Sequence, residues 1–287
     1  MVTDLRSRAE HAVMERLRLT RPDVRWREVA AGYLADWRDN LIEGVDAADV
    51  EADLRRGAGN ELTDQPDEPS KFCAAFSSSA LAVNTFAPFR LRPERLSLAG
   101  VTGFDAIELE YPCDNGLVGT NPHFDLFART ATTVIAVESK FLEALQQKPA
   151  QFSDQYVRPF MGTVERPRIA EEPWARMYAR LRSDPQTYRH LDAAQLVKHY
   201  LGLRHSFATL ERTLVYLYWE PANAADLAVY RDLRLEINDF AAAVAGCDTR
   251  FVALSYPSLW LEWQQNRACV DMSQHLERLR QRYAFGL

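Results

Sequence analysis

Residues 121–141 read NPHFDLFARTATTVIAVESKF, and the reading of this stretch decides the fold. Thr133, Val134, Ile135, Ala136 and Val137 are β-branched or alanine, a composition that favours a strand buried on both faces. The run closes in Glu138-Ser139-Lys140, two charges separated by one residue. Just upstream, HFDLFAR carries Asp125. Two short runs joined so closely predict antiparallel neighbours. Side chains alternate along a strand, so Glu138 and Lys140 share one face while Val137 and Ser139 take the other. His123, Asp125 and Phe127 share a face in the same way, and in neighbouring strands Asp125 and Glu138 converge at one end of the sheet. FDAIELEYP, residues 104–112, alternates partly like a strand and offers Glu108 and Glu110, either able to add a further acid. Clustered, buried like charges are unfavourable unless something positive neutralises them. A divalent cation with Lys140 beside it does so, and carboxylate oxygens suit magnesium or manganese.

Outward from this centre, helical and strand periods alternate. Before it, Ala9, Val13, Leu17 and Leu19 recur at roughly helical spacing, and PDVRWREVAAGYLADWRDNLI (22–42) reads as a second helix with Val29, Leu34 and Leu41 on related faces. DAADVEADLRRG (46–57) reads as a helix capped by Asp46 and stopped by Gly57. AGNELTDQPDEPS (58–70) is almost free of apolar residues and reads as a mobile loop. SSSALAVNTFAPF (77–89) reads as a helix that Ser77 to Ser79 can cap. After the centre, LDAAQLVKHYLGL (191–203) is an amphipathic helix with Asp192 as N-cap, and RTLVYLYWE (212–220) a strand. DLAVYRDLRLEINDFAAAVAG (226–246) is a long helix, RFVALSYPSLW (250–260) holds a further strand, and the tail from Asp271 is helical. The order is helices, three strands, helices, strand, helix, strand, an α/β fold with a mixed sheet flanked by helices. Residues 1–70 read as an N-terminal helical region with its loop, and 71–287 as the main domain, with one continuous domain as the alternative.

Composition sets the outer limits. The chain has 287 residues, 47% of them hydrophobic and 26% charged, which is ordinary for a globular protein able to bury a sizeable core. The net charge of -6 argues against a passive, charge-driven coat on DNA, but not against an enzyme with a local basic groove. Cys73, Cys113, Cys247 and Cys269 form no C-x-x-C pair, so a zinc ribbon is disfavoured and reduced thiols are expected. The opening MVTDLRSRAEH is charged and no run approaches a membrane span. A cytoplasmic protein without a membrane partner is the expectation.

Asp125 followed by Glu138-x-Lys140 at a strand end resembles the PD-(D/E)xK nuclease superfamily, in its restriction-endonuclease-like branch. Pro122-His123-Phe124-Asp125 stands where that family has Pro-Asp. The resemblance covers roughly residues 75–256, with SSSALAVN before the core and GTNPHFDLF…ESKF at its centre. Gln195 is similar to the glutamine of some branches, although its spacing to Tyr200 is one residue longer than Q-x-x-x-Y. The N-terminal helices up to Arg56 match no part of the pattern. The resemblance implies a restriction-endonuclease-like core and a metal-dependent endonuclease acting on DNA, expected to be double-stranded, leaving a 5′-phosphate. It implies that Asp125, Glu138 and the Ser139 carbonyl hold magnesium (or manganese), with Glu110 completing the shell or binding a second ion. Lys140 would orient the attacking water, and Gln195 would approach from its helix. It also leaves a homodimer open.

Each candidate has a plainer reading. E-x-K alone is common, and on a strand end is often a surface ion pair. Glu110 could sit on the solvent side of an edge strand, with Glu108 competing for its role. His123 is read as capping a strand start, Glu143 as solvated, and Tyr216, Tyr218 and Trp219 as core rather than a stacking platform for bases. Arg16, Arg18, Arg21 and Arg25 read as a solvated basic face, and Cys113 has no histidine pairing that would make it a nucleophile. Two rival functions stand beside the endonuclease. One is a catalytically silent nucleic-acid-binding or scaffold protein of the same fold, and the other a metal-dependent hydrolase of a small phosphorylated substrate.

Overall fold

The strand run at the centre of the sequence is also the centre of the sheet. In the computed structural model, which describes residues 2–57, 61–119, 121–161, 172–265 and 272–287, β3 (Thr133–Lys140) is buried along its whole length. It lies between β2 (His123–Arg129), which is antiparallel to it, and β4 (Glu211–Tyr218), which is parallel. β1 (Ala106–Pro112) pairs antiparallel with β2, and β5 (Thr249–Ser255) parallel with β4. The sheet is thus five-stranded and mixed, in the order β1-β2-β3-β4-β5. The parallel half is where both faces must be covered, which is why the β3 sequence is apolar without alternation until its last three residues.

Helices supply that cover. α3 (Ser78–Phe86) packs on β2 and β3, and α6 (Ala193–Ser206) on β3, β4 and β5. The caps are those the sequence predicts. The Ser77 hydroxyl accepts from Ala80 N at 3.1 Å, and Asp192 from Gln195 N at 3.2 Å. Asp46 accepts from Ala48 N and Asp49 N at the start of α2 (Ala47–Arg56), with Gly57 as its C-cap. α2 packs against β1. α1 (Val2–Thr20) buries Ala9, Val13 and Leu17 at i, i+4 spacing and packs on α9 (Ser273–Tyr283). α4 (Val157–Met161), α5 (Pro173–Ser183), α7 (Ala228–Ala243) and α8 (Tyr256–Gln265) complete the helices among the described residues. One apolar cluster runs from Ala9 to Tyr283.

Several local readings need correction. Residues 22–42 are not a helix: the chain makes isolated bridges, Trp26 to Leu34 and Tyr33 to Ala74, and a single short 3-10 turn at Trp37–Asn40. Its apolar residues are set by these long-range bonds, so Leu34 is buried while Val29 is exposed. Leu19 is also exposed, because α1 turns it away from the face that carries Ala9, Val13 and Leu17. The strand within 250–260 ends at Ser255, where α8 begins directly. α5 carries no reading from the sequence at all. The loop reading of 58–70 falls in part outside the described residues, as do Asp271 and Cys269. Residues 61–70 are tied down: Asp64 pairs with Arg27 at 2.8 and 2.9 Å and accepts from Ser70 N at 2.8 Å, and Phe72 N donates to the Glu61 carbonyl at 3.1 Å. Tyr216, Tyr218 and Trp219 are core residues. Cys73, Cys113 and Cys247 are free thiols. No helix of the described residues is long and apolar enough to cross a membrane.

Candidate active site

The register of the sheet aligns three acids at one end of neighbouring strands. Leu126 pairs with Val137, which sets Asp125 opposite Glu138. Leu109 pairs with Leu126 and Tyr111 with Phe124, which sets Glu110 opposite Asp125. The β2–β3 ladder ends at Leu126 and Val137, and beyond it the Asp125 carboxylate takes the place of a backbone acceptor, receiving Ser139 N at 2.7 Å. Glu110 drops out of the β1–β2 ladder because its φ is +49°, a left-handed conformation unusual for a residue with a side chain. Backbone outliers of this kind cluster at functional sites. The strained residue is Glu110 rather than Glu108, and it is Glu110 that lines the cavity described next.

A cavity of about 510 Å³ opens over this row. Its floor is Glu110, Asp125 and Glu138 with Ser139 and Lys140; Gln195 and Glu143 flank it. Glu138 and Lys140 are both buried, and their side chains touch. The second Glu138 oxygen lies 2.5 Å from His199 Nε2, and Lys140 Nζ donates to Gln195 Oε1 at 2.9 Å. Gln195 and His199 stand four residues apart on one face of α6, so one helix face holds both members of the E-x-K pair. Strand alternation sends the intervening Ser139 to the opposite face, where its hydroxyl bonds Tyr256 OH at 2.7 Å and the Ser78 carbonyl at 3.2 Å. Glu143 is not simply solvated: it lines the cavity and accepts from Phe141 N at 2.6 Å, which fixes the chain as it leaves β3.

The electrostatics separate the acids. Burial alone would raise Glu138, but Lys140 and His199 outweigh it and hold its carboxyl below the usual range. Asp125 is raised well above it by burial, with Glu138 and Glu110 adding repulsion; its side chain reaches the cavity yet is surrounded by protein. Burial, with repulsion from Glu61 and Glu138, pushes Glu110 up to about 8. Burial opposes the charge on Lys140, but Glu138 more than restores it and raises the pKa. His123 begins β2, as its capping reading expects, and also lines the cavity, its pKa lowered by burial.

Among the described residues no group of three or more His, Cys, Asp and Glu side chains is placed to hold a metal ion as it stands. Both oxygens of Glu138 are engaged, one by the Lys140 ammonium and the other by the His199 ring. The donor chemistry nevertheless fits a hard divalent cation. Two oxygen-bearing acids, Asp125 and Glu110, face one cavity under mutual repulsion that added positive charge would relieve.

His199 is the residue that sequence reading undervalued. The Q-x-x-x-Y pattern points past it to Tyr200. Tyr200 lies away from the site, stacked on Trp174 and bonded to Glu172 at 2.5 Å. The useful signal was the i, i+4 pair Gln195 and His199. The N-terminal region also contributes to the cavity: Arg6, Tyr33, Leu54 and Gly57 wall it, and Glu61 stands beside Ser79 and Lys71 at its rim.

A family model described as restriction endonuclease associating with ARP matches residues 6–284. No curated protein and no solved structure matches the chain.

Proposed function

We propose, for a chain that belongs to this restriction-endonuclease family, that it hydrolyses phosphodiester bonds in double-stranded DNA with magnesium or manganese. The observation that carries this reading is the meeting of Asp125, Glu138 and Lys140, from neighbouring strands, on the floor of one cavity. Asp125, Glu138 and the Ser139 carbonyl are the proposed metal ligands, with Glu110 as the additional acid. The bound cation would supply a water of lowered pKa and positive charge for the scissile phosphate. Lys140 orients the attacking water and stabilises charge developing on the phosphate oxygens. Gln195 holds the Lys140 ammonium in place, and His199 fixes the orientation of the Glu138 carboxylate. We read residues 1–70 as the region that walls this cavity and 71–287 as the nuclease-like part.

That both Glu138 oxygens are already engaged favours one alternative, a protein of the same fold that binds nucleic acid without cutting it. Supercoiled plasmid with magnesium or manganese separates the two. Nicking or linearisation by the wild type, reduced on the order of a thousandfold in Glu138→Ala and Lys140→Ala, is the expected result. Metal-dependent cleavage that survives in both variants sinks this site. Absence of cleavage by the wild type on DNA and RNA with either metal supports the silent protein.

A further inference from the structure

A second cavity, of about 350 Å³, adjoins the catalytic one and shares Pro122, His123 and Gln195 with it. Its volume lies in the range of small-ligand sites, about 300–1,000 Å³. Its distinctive group is Lys198, one turn beyond Gln195 along α6. Lys198 is half-buried, and among the described residues no hydrogen bond or ion pair holds its ammonium. It lies over two ring faces, Phe152 and Tyr156, each 5.7 Å from Nζ, and Asp192 attracts it from beyond ion-pair distance. The other charges on this wall are already matched. Asp192 is bonded by Lys148 at 3.1 Å and by the amide of Gln195, so among the described residues Lys198 is the cation on this wall without an ion pair. Burial lowers the Lys198 pKa and outweighs the attraction of Asp192. Leaving such a group half-buried is unfavourable unless an anion completes it.

We propose that this second cavity is the subsite for the phosphate next to the scissile one, with Lys198 as its ligand. The inference rests on the endonuclease reading, because the shared wall of His123 and Gln195 places the two cavities along one strand of substrate. The two rings face the ammonium and hold it, so it meets the phosphate without first being ordered. Lys198 binds and positions; it takes no part in the bond-breaking step.

The test starts from the cut mapped on a synthetic duplex with wild type and magnesium. The duplex is then remade with a neutral methylphosphonate at each phosphate flanking the cut, one at a time. One of the two replacements lowers wild-type kcat/KM about tenfold, chiefly through KM, the loss of one charge-assisted hydrogen bond. Lys198→Met, which removes the charge and keeps an unbranched chain of similar length, loses about as much on the unmodified duplex and nothing further on the methylphosphonate one. Lys198→Gln provides a second variant should Lys198→Met unfold. Wild-type KM in both variants, or a methylphosphonate penalty undiminished in them, overturns the subsite and leaves the endonuclease standing. A wild type that cleaves nothing removes the endonuclease reading and this subsite with it.

Discussion

α3 joins two clusters of buried polar groups that are built on opposite principles. At its start, the Ser78 carbonyl touches Ser139 beside the row of acids. Near its end, Asn84 lies at the seam where the N-terminal segment meets α9. At the seam nearly every capacity is used. Asn84 accepts from Ile42 N at 2.9 Å and donates to the Asn40 carbonyl and to Tyr283 OH at 2.9 and 2.7 Å. Asn40 in turn donates to the carbonyls of Phe72 and Ala74, both at 2.7 Å, and accepts from Arg282 at 2.7 Å. Arg282, the one formal charge among these residues, is met by neutral oxygens, of Asn40 and the Ala75 carbonyl. At the site, by contrast, acids repel one another across a cavity, and of the three only Glu138 has both oxygens engaged, by Lys140 and His199. A satisfied buried network fixes one packing of the chain. An unsatisfied one that faces a cavity stores a preference for a ligand. The difference teaches which polar cluster is structural and which is chemical.

The largest effect that tests this contrast is the one on activity at the site. Glu138→Ala is expected to lower cleavage about a thousandfold yet to change stability less than a seam substitution does, because Lys140 keeps Gln195, with Glu143 and Asp192 nearby. Urea unfolding of both variants checks this; a Glu138→Ala protein that is the less stable of the two breaks the contrast. Asn84→Ala strands the Ile42 amide, the Asn40 carbonyl and the Tyr283 hydroxyl, at a cost of about 3 kcal/mol. Its activity per folded molecule is expected to stay at the wild-type level.

A pH experiment is next in size. His275 donates from Nε2 to the Asn84 carbonyl at 2.8 Å, and burial lowers its pKa from 6.5 to about 4. The folded state therefore binds its proton less readily than the unfolded chain. The contribution of neutral His275 is complete above pH 6.5 and is lost as pH falls towards 4, on the order of 3 kcal/mol in all. His275→Gln retains a donor but does not titrate, so the stability gap between wild type and variant should narrow over that window. A constant gap from pH 7 to 4 would mean that the seam admits the protonated ring. The smallest effect is expected of Gln195→Ala, which removes the acceptor from Lys140. Cleavage falls about tenfold, the scale of one hydrogen bond to a charged group, with the melting temperature little changed.

What was legible in the sequence was local. The β3 run, the alternation that separates Glu138 and Lys140 from Ser139, and the caps Asp46, Ser77 and Asp192 follow from periods and propensities that act within a few residues. The same rules brought Asp125 opposite Glu138, because a short hairpin leaves little choice of register. Other features depended on contacts between distant segments. The left-handed turn at Glu110 accompanies close packing against the end of α2, where a Cβ on Gly57 would come within 3.0 Å of the Glu110 carbonyl. That turn, not the strand alternation, decides that Glu110 rather than Glu108 faces the cavity. His199 on Glu138 follows from how α6 lies across β3, and the form of residues 22–42 from bonds to residues near 74. Sequence by itself determined the strands, the helix caps Asp46, Ser77 and Asp192, and the E-x-K pair, since those energies are set by near neighbours. Tertiary structure decided the third acid, the partners of Glu138 and the wall over the cavity, because each is fixed by a hydrogen bond or a packing contact whose two sides lie far apart in the chain.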